Sequence, residues 1–375
     1  MTSVVEHLSE LVRIPSPSAV SNRAVIDYAS AALRSAGWSL RGLPYRDPSG
    51  VEKINLIAAP PGQDPEARDV DLVFMCHTDT VPYAADWADA LHPVVRDGHL
   101  HGCGACDVKG FLACLLAAAS SAEPAQFIGG LRIVLSADEE IGCIGAARLV
   151  AENVLHPRRM VIGEPTSLHP ARAGKGYCLA EITVHGKEAH SAHPAQGVSA
   201  IYGAARLIRR IEELAAKLAA ETNSFFDPPH TTINVGTIEG GTAKNIVAGS
   251  CTFQLEWRPI PGIAADAVLR SVTEIVTELQ VTDSGFEARI TPLRQQPGSE
   301  TPDGSALVRR VESLSGRAAV SIPFGSEASL FAPLAEEVIV FGPGDMRTAH
   351  SSRECVALAE LDQAVRIASH LMRES

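Results

Sequence analysis

Apolar positions along the chain fall into two textures. In "VVEHLSELVRI" and "AVIDYASAALRSAG" they recur at three- and four-residue intervals, which predicts amphipathic helices, the second stopping at Gly37. "NLIAAP", "DLVFMCH", "GGLRIVLSADEE" and "RRMVIGEPT" are short apolar runs and read as buried strands. The helices "GFLACLLAAASSA" and "GAARLVAENV" come between them. Such alternation predicts an α/β fold whose central, mostly parallel sheet is flanked by helices.

After Gly174 the pattern changes. "YCLAEITVHG" alternates like a strand with one wet face, and a long helix begins at "GVSAI". "TTINVGTIEGG" and "SCTFQLEWRPI" read as antiparallel neighbours, followed by the helix "ADAVLRSVTEIVTEL" and the strand "FEARITPL". This β-α-β-β-α-β order is the ferredoxin-like arrangement. The last stretch returns to the first texture with "SALVRRVESLSG", "AAVSIP", "EEVIVFGPG" and "LAELDQAVRIASHLM". The expectation is a discontinuous catalytic domain, residues 1–175 and 292–375, interrupted by an α+β domain over 176–291.

Composition narrows the partners. A net charge of −12 over 375 residues argues against nucleic acid, whose phosphates need a clustered basic face. No 18-residue apolar run predicts a membrane span, and the N-terminal stretch lacks the basic-then-apolar order of a secretion signal. Eight irregularly spaced cysteines make no disulfide framework, and Cys114, Cys178 and Cys251 sit in apolar segments as small hydrophobes. A cytoplasmic protein with reduced thiols is expected.

Five polar motifs stand where strands end, the edge at which open α/β sheets bind ligands. They are "HTD" (His77, Asp79), "CDVKG" (Asp107), "DEE" (Glu139, Glu140), "GEPT" (Glu164) and "AHSS" (His350). Each also has a local reading. Asp79 and Glu164 suit turns beside Pro82 and Pro165, Asp107 suits a helix N-cap, and Glu139 and Glu140 suit a helix's first turn. Together they supply two imidazoles and five carboxylates, close to what a pair of divalent ions about 3.5 Å apart requires. The Cys103–Cys106 pair has no second pair to complete a further metal site, and Lys109 reads as a structural charge.

"MCHTDTVP", "HGCGACDVKG", "SADEEIGCIGA", "GEPTSLHPARAGKGY", "GKEAHSAHPAQGVSAI" and "GTAKNIVAGSCTFQLEWRPIPG", in that order, resemble the di-zinc aminoacylase and glutamate carboxypeptidase family of metallopeptidases. The resemblance implies two zinc ions per chain, with cobalt or manganese able to substitute. His77, Asp107 and Glu164 would hold one ion and Asp107, Glu140 and His350 the other, so Asp107 bridges. Asp79 would orient His77, and Glu139 would be the general base. A cis peptide bond is expected after Asp107. From the inserted domain, through which the family forms homodimers, His190 would reach the neighbouring subunit's site and help stabilise the oxyanion, while Asn245 and Arg258 would help hold the substrate carboxylate. His193 has no clear role. Glu327 would read a cationic side chain or, as an alternative, start a helix. The implied reaction removes an acyl group from an N-acyl amino acid, N2-acetylornithine foremost. Desuccinylase, general aminoacylase and dipeptidase activities share the geometry, and a one-zinc enzyme or a non-catalytic scaffold stays open.

Overall fold

The computed structural model describes residues 2–121, 126–283 and 285–373, and every count below refers to these. The first helix, Val4–Arg13, starts where the sequence dictates. Ser3 Oγ accepts the Glu6 N–H at 3.2 Å and the Glu6 carboxylate accepts the Ser3 N–H at 2.7 Å, closing a capping box. Its apolar stripe, Leu8, Leu11 and Val12, is buried. The helix Lys109–Ser120 has no polar face because it is covered on almost every side, packing on Val4–Arg13, Arg23–Ser35 and Leu358–Leu371.

These helices flank a nine-stranded mixed sheet. Four of its central strands, Leu131–Ser136, Asp69–His77, His156–Ile162 and Glu337–Val340, are adjacent and parallel. His77 lies opposite Ser136, and Met75 opposite Ile162, so the carboxyl ends of these strands open toward one edge. On one side Glu52–Ala59 pairs antiparallel with Leu131–Ser136 and forms a hairpin with Ser39–Arg46. The apolar pattern does not mark the Ser39–Arg46 strand, which carries Gly42 and Pro44. A small sheet of Val94–Arg96, His99–His101 and Cys355–Ala357 is also absent from the pattern-based expectation.

The chain divides into two units. The first comprises residues 1–173, 300–320 and 326–375, and the second residues 174–299 and 321–325. The second unit therefore extends past the expected boundary at 291. Strand Glu287–Gln296 stays paired with Tyr177–His185 to its end, Gln296 opposite Tyr177. Within this unit the antiparallel strand order is Thr232–Gly240, Ser250–Arg258, Tyr177–His185, Glu287–Gln296, the ferredoxin-like sheet, with helices Ala200–Leu218 and Ala267–Thr282 packed on it. Trp257 is the largest side chain of this core, and its indole N–H donates to the Ala265 carbonyl at 2.8 Å.

Trp257→Ala should cost about 3–5 kcal/mol through the cavity it leaves, with an orphaned carbonyl besides. Urea unfolding followed by far-ultraviolet circular dichroism should show an early transition of the second unit, and an unchanged profile would contradict the packing described.

Candidate metal centre

Four loops leave the carboxyl ends of the parallel strands and carry acids or imidazoles. His77 closes its strand, buried, with Nδ1 3.0 Å from the backbone carbonyl of Asp79. That bond places the proton on Nδ1 and leaves Nε2 as a lone-pair donor. Nε2 lies 3.1 Å from Asp107 Oδ1. His350, on the loop after Glu337–Val340 and in left-handed backbone geometry, brings its Nε2 to 3.1 Å from the other Asp107 oxygen and 3.3 Å from Glu140 Oε2. One carboxylate thus presents each of its oxygens to a different imidazole, the arrangement of a bridging ligand.

The cap reading of Asp107 and the first-turn reading of Glu139 and Glu140 do not hold. The helix after Asp107 begins at Lys109 with no side-chain cap, and the Asp107–Val108 bond is cis, as the resemblance implies. Glu139 and Glu140 precede the helix Ile144–Ala151 instead of lying in its first turn. Asp79 differs in detail from expectation. Its carboxylate is 3.6 Å from His77 Nδ1, and it accepts instead from Ser18 Oγ at 2.7 Å and from the N–H groups of Glu139 and Glu140 at 3.1 and 3.3 Å. It therefore orients His77 through its main chain and the two glutamates through its side chain. Glu164 follows its strand directly after Gly163, where a Cβ would lie 2.2 Å from the Phe111 ring, so only glycine lets the loop pass.

Two groups of ligand atoms lie within 4.8 Å of one another, His77 with Glu139 and Glu164, and His77 with Asp107 and Glu140. The electrostatics call for positive charge. Burial, reinforced by neighbouring carboxylates, pushes Glu164 well above its ordinary pKa and raises Glu140, while burial pushes Glu139 up to about 8. His350 is raised to about 10 by its bonds to Asp107 and Glu140. His77 rises although burial opposes it, because Asp107 and Asp79 hold its charged form. Burial works against Asp107 too, yet the two imidazoles keep its pKa below the ordinary value.

Protons thus stand where cations would be, and divalent ions would displace them. The spacing fits as well. Donors about 2.0–2.2 Å from a tetrahedral ion sit about 3.3 Å apart, close to the 3.1 and 3.3 Å separations here. Glu140 Oε1 is buried without a hydrogen-bond partner, a further free donor.

The model of peptidase family M20/M25/M40 matches residues 73–374. The chain belongs to that family. Acetylornithine deacetylase of Myxococcus xanthus is 45% identical over 355 residues, covering 94% of this chain and 92% of that one. Among solved structures, a tripeptidase from Staphylococcus aureus superposes with a TM-score of 0.78 at 22% identity, over 99% of this chain and 97% of its own. A dinuclear metal-binding peptidase of the M20 family from Bacillus subtilis gives 0.68 at 14% identity, over 98% and 96%. The protein is accordingly a metal-dependent hydrolase of the M20 family.

Not all the residues singled out in the sequence meet in this M20 centre. Glu327 lies in the same unit, buried, and burial pushes its pKa up to about 7 against the opposing influence of the His77 charge and the Ser136 hydroxyl. His190, Asn245 and Arg258 belong to the second unit. There His190 and Asn245 lie on neighbouring segments, the Ser191 N–H donating to the Asn245 carbonyl at 2.9 Å. Arg258 stacks on Tyr177 and donates from Nε to Glu256 at 2.7 Å. His193 is exposed, its ring centroid 6.4 Å from that of His190. Cys103 and Cys106 are buried free thiols.

Other supports were not visible in the sequence. Asp138, the first acid of "DEE", makes a buried ion pair with Lys53 at 2.6 Å and accepts from Tyr45 Oη at 2.8 Å. It tethers the loop that carries Glu139 and Glu140, and only its place in an acid run hinted at a role.

Glu139→Gln should keep both bound ions and lose roughly a hundred- to ten-thousandfold in turnover, as removal of a general base does. Asp107→Ala should bind fewer ions, because both sides of the centre lose a donor. Elemental analysis beside rate measurement separates the two, and full metal content in Asp107→Ala would refute the bridging assignment.

Proposed function

We propose that this M20 hydrolase is a zinc-dependent N-acyl amino acid amidohydrolase acting on N2-acetylornithine. It would release ornithine and acetate for arginine biosynthesis in the cytoplasm. What carries this reading is the near full-length identity to the Myxococcus xanthus acetylornithine deacetylase. Among the described residues no helix is long and apolar enough to cross a membrane, which accords with it.

Two divalent ions, held by His77, Asp107 and Glu164 and by Asp107, Glu140 and His350, would lower the pKa of water and polarise the amide carbonyl. Glu139 is the proton carrier. It takes a proton from the attacking water as the new carbon–oxygen bond forms, then gives it to the amine nitrogen as the carbon–nitrogen bond breaks. The Ala192 N–H donates to His190 Nδ1 at 3.1 Å, so the imidazole's proton is on Nε2, where it can donate to a carbonyl oxygen gaining charge. Asn245 and Arg258 would hold the substrate's α-carboxylate and Glu327 the side-chain ammonium.

Homodimerisation through the second unit belongs to the same proposal. Strand Thr232–Gly240 is at the edge of its sheet, and the unit exposes Tyr202 at 71% and Ile238 at 56%, a combination suited to burial against a second copy. Sedimentation of Ile238→Lys and Tyr202→Glu together should give monomers where the wild type gives dimers. A wild-type monomer would remove this part of the proposal.

The zinc-loaded protein should release acetate from N2-acetylornithine with a kcat/KM at least about tenfold above that for succinyl-diaminopimelate, other acetylated amino acids or dipeptides. A different favourite in that panel would replace the substrate but leave the chemistry in place.

A further inference from the structure

Glu354 has no part in the ligand set, yet it lies beneath it. It is 2% exposed, and its Oε1 accepts the N–H of Cys106 at 3.0 Å and the N–H of Asp107 at 3.1 Å. The Gly104 N–H also bears on this carboxylate. Three amide groups of one short loop therefore converge on a single buried acid, a backbone nest for an anion supplied by the chain itself. Gly102 and Gly104, both with positive φ, let the loop curl inward in this way.

The placement of Glu354 is fixed independently. Its carbonyl accepts the Gly102 N–H at 3.3 Å, and the next residue, Cys355, pairs with His101 in the small antiparallel sheet. Four residues earlier the same segment carries His350, whose imidazole meets Asp107 and Glu140. One stretch of five residues, His350 to Glu354, thus supplies an imidazole to the centre and grips the main chain of Asp107 from behind. Lys109, a buried cation two residues after Asp107, donates to the Ile14 carbonyl at 2.8 Å.

We infer that Glu354 is a positioning residue for the dinuclear centre. By holding the amide of Asp107 it sets where the bridging carboxylate sits relative to His350, and so how the two ions share it. Displacing it moves the bridge without removing any ligand. The inference rests on the ligand geometry and not on the identity of the substrate.

The test uses the full-length protein with Co2+ as the ion, because its visible absorption reports coordination directly. Glu354→Ala should bind Co2+ about ten- to a hundredfold more weakly and show a changed spectrum, the effect expected when an outer support of a metal ligand is lost. Its kcat at saturating Co2+ should fall by at least about tenfold, with KM within about threefold of wild type. Glu354→Gln, which keeps a carbonyl acceptor for the two amides, should recover most of the spectrum and affinity. If Glu354→Ala does not fold, Glu354→Asp serves, retaining the charge but drawing it back by one methylene, and it should show the same spectral change. A wild-type Co2+ spectrum and affinity in Glu354→Ala or Glu354→Asp, with only melting temperature reduced, would overturn the inference. So would a Glu354→Gln no better than Glu354→Ala.

Discussion

The constraint on which the structure depends is the repulsion among acids crowded at one edge of a sheet. Asp79, Asp107, Glu139, Glu140 and Glu164 are buried or nearly so and stand around the same two imidazoles. Low-dielectric surroundings make each acid resist ionisation, and each neighbour adds to that resistance. A fold gains nothing in stability from such a cluster, so its presence marks a place reserved for cations. The parallel sheet makes the crowding possible, because adjacent strands deliver their loops to one edge in register.

Repelling groups must then be held in place, and each loop is held by a residue distant in sequence. Asp79 takes the amides of Glu139 and Glu140, sixty and sixty-one residues on. Lys53 pairs with Asp138 and also donates to the Ser18 and Val20 carbonyls at 2.6 and 2.8 Å. Asn22 joins the Ile54 main chain to Thr78, whose hydroxyl donates in turn to the Ser136 carbonyl. The result is a polar network in which ligand loops brace one another below the ligands themselves. Burial strengthens such bonds and makes each costly to break.

The division between what could and could not be read follows from distance along the chain. His77, Glu140 and Glu164 were legible as polar residues following apolar strand runs, while Asp107, His350 and the sharing of ligands between two ions came from the resemblance of the motifs in their order. The ferredoxin-like order was legible from alternation alone. Glu354, Lys53 and Asn22 were not, because their partners Asp107, Asp138 and Ile54 lie 247, 85 and 32 residues away and nothing local marks them. Ser39–Arg46 was missed for another reason: its strand is stabilised by pairing with a neighbour, and its own residues, half exposed and interrupted by glycine and proline, carry little strand signal. Asp79 fell between the two cases. Its presence at the site was readable, but the division of its carbonyl and carboxylate between two tasks depends on coordinates.

The first unit is built from both ends of the chain, and that has a bearing on how the protein is made. Its central sheet receives the Glu337–Val340 strand, and the acid cluster receives the His350 imidazole, only after the whole second unit has been synthesised. Until then the early acids wait with an imidazole and an edge missing, a long-range closure that is slow to form and leaves apolar strand edge uncovered. The second unit closes its own four-stranded sheet from a nearly continuous stretch and can complete that part while the ribosome is still at work. In the order of biogenesis, the inserted half would come first and the chemistry last.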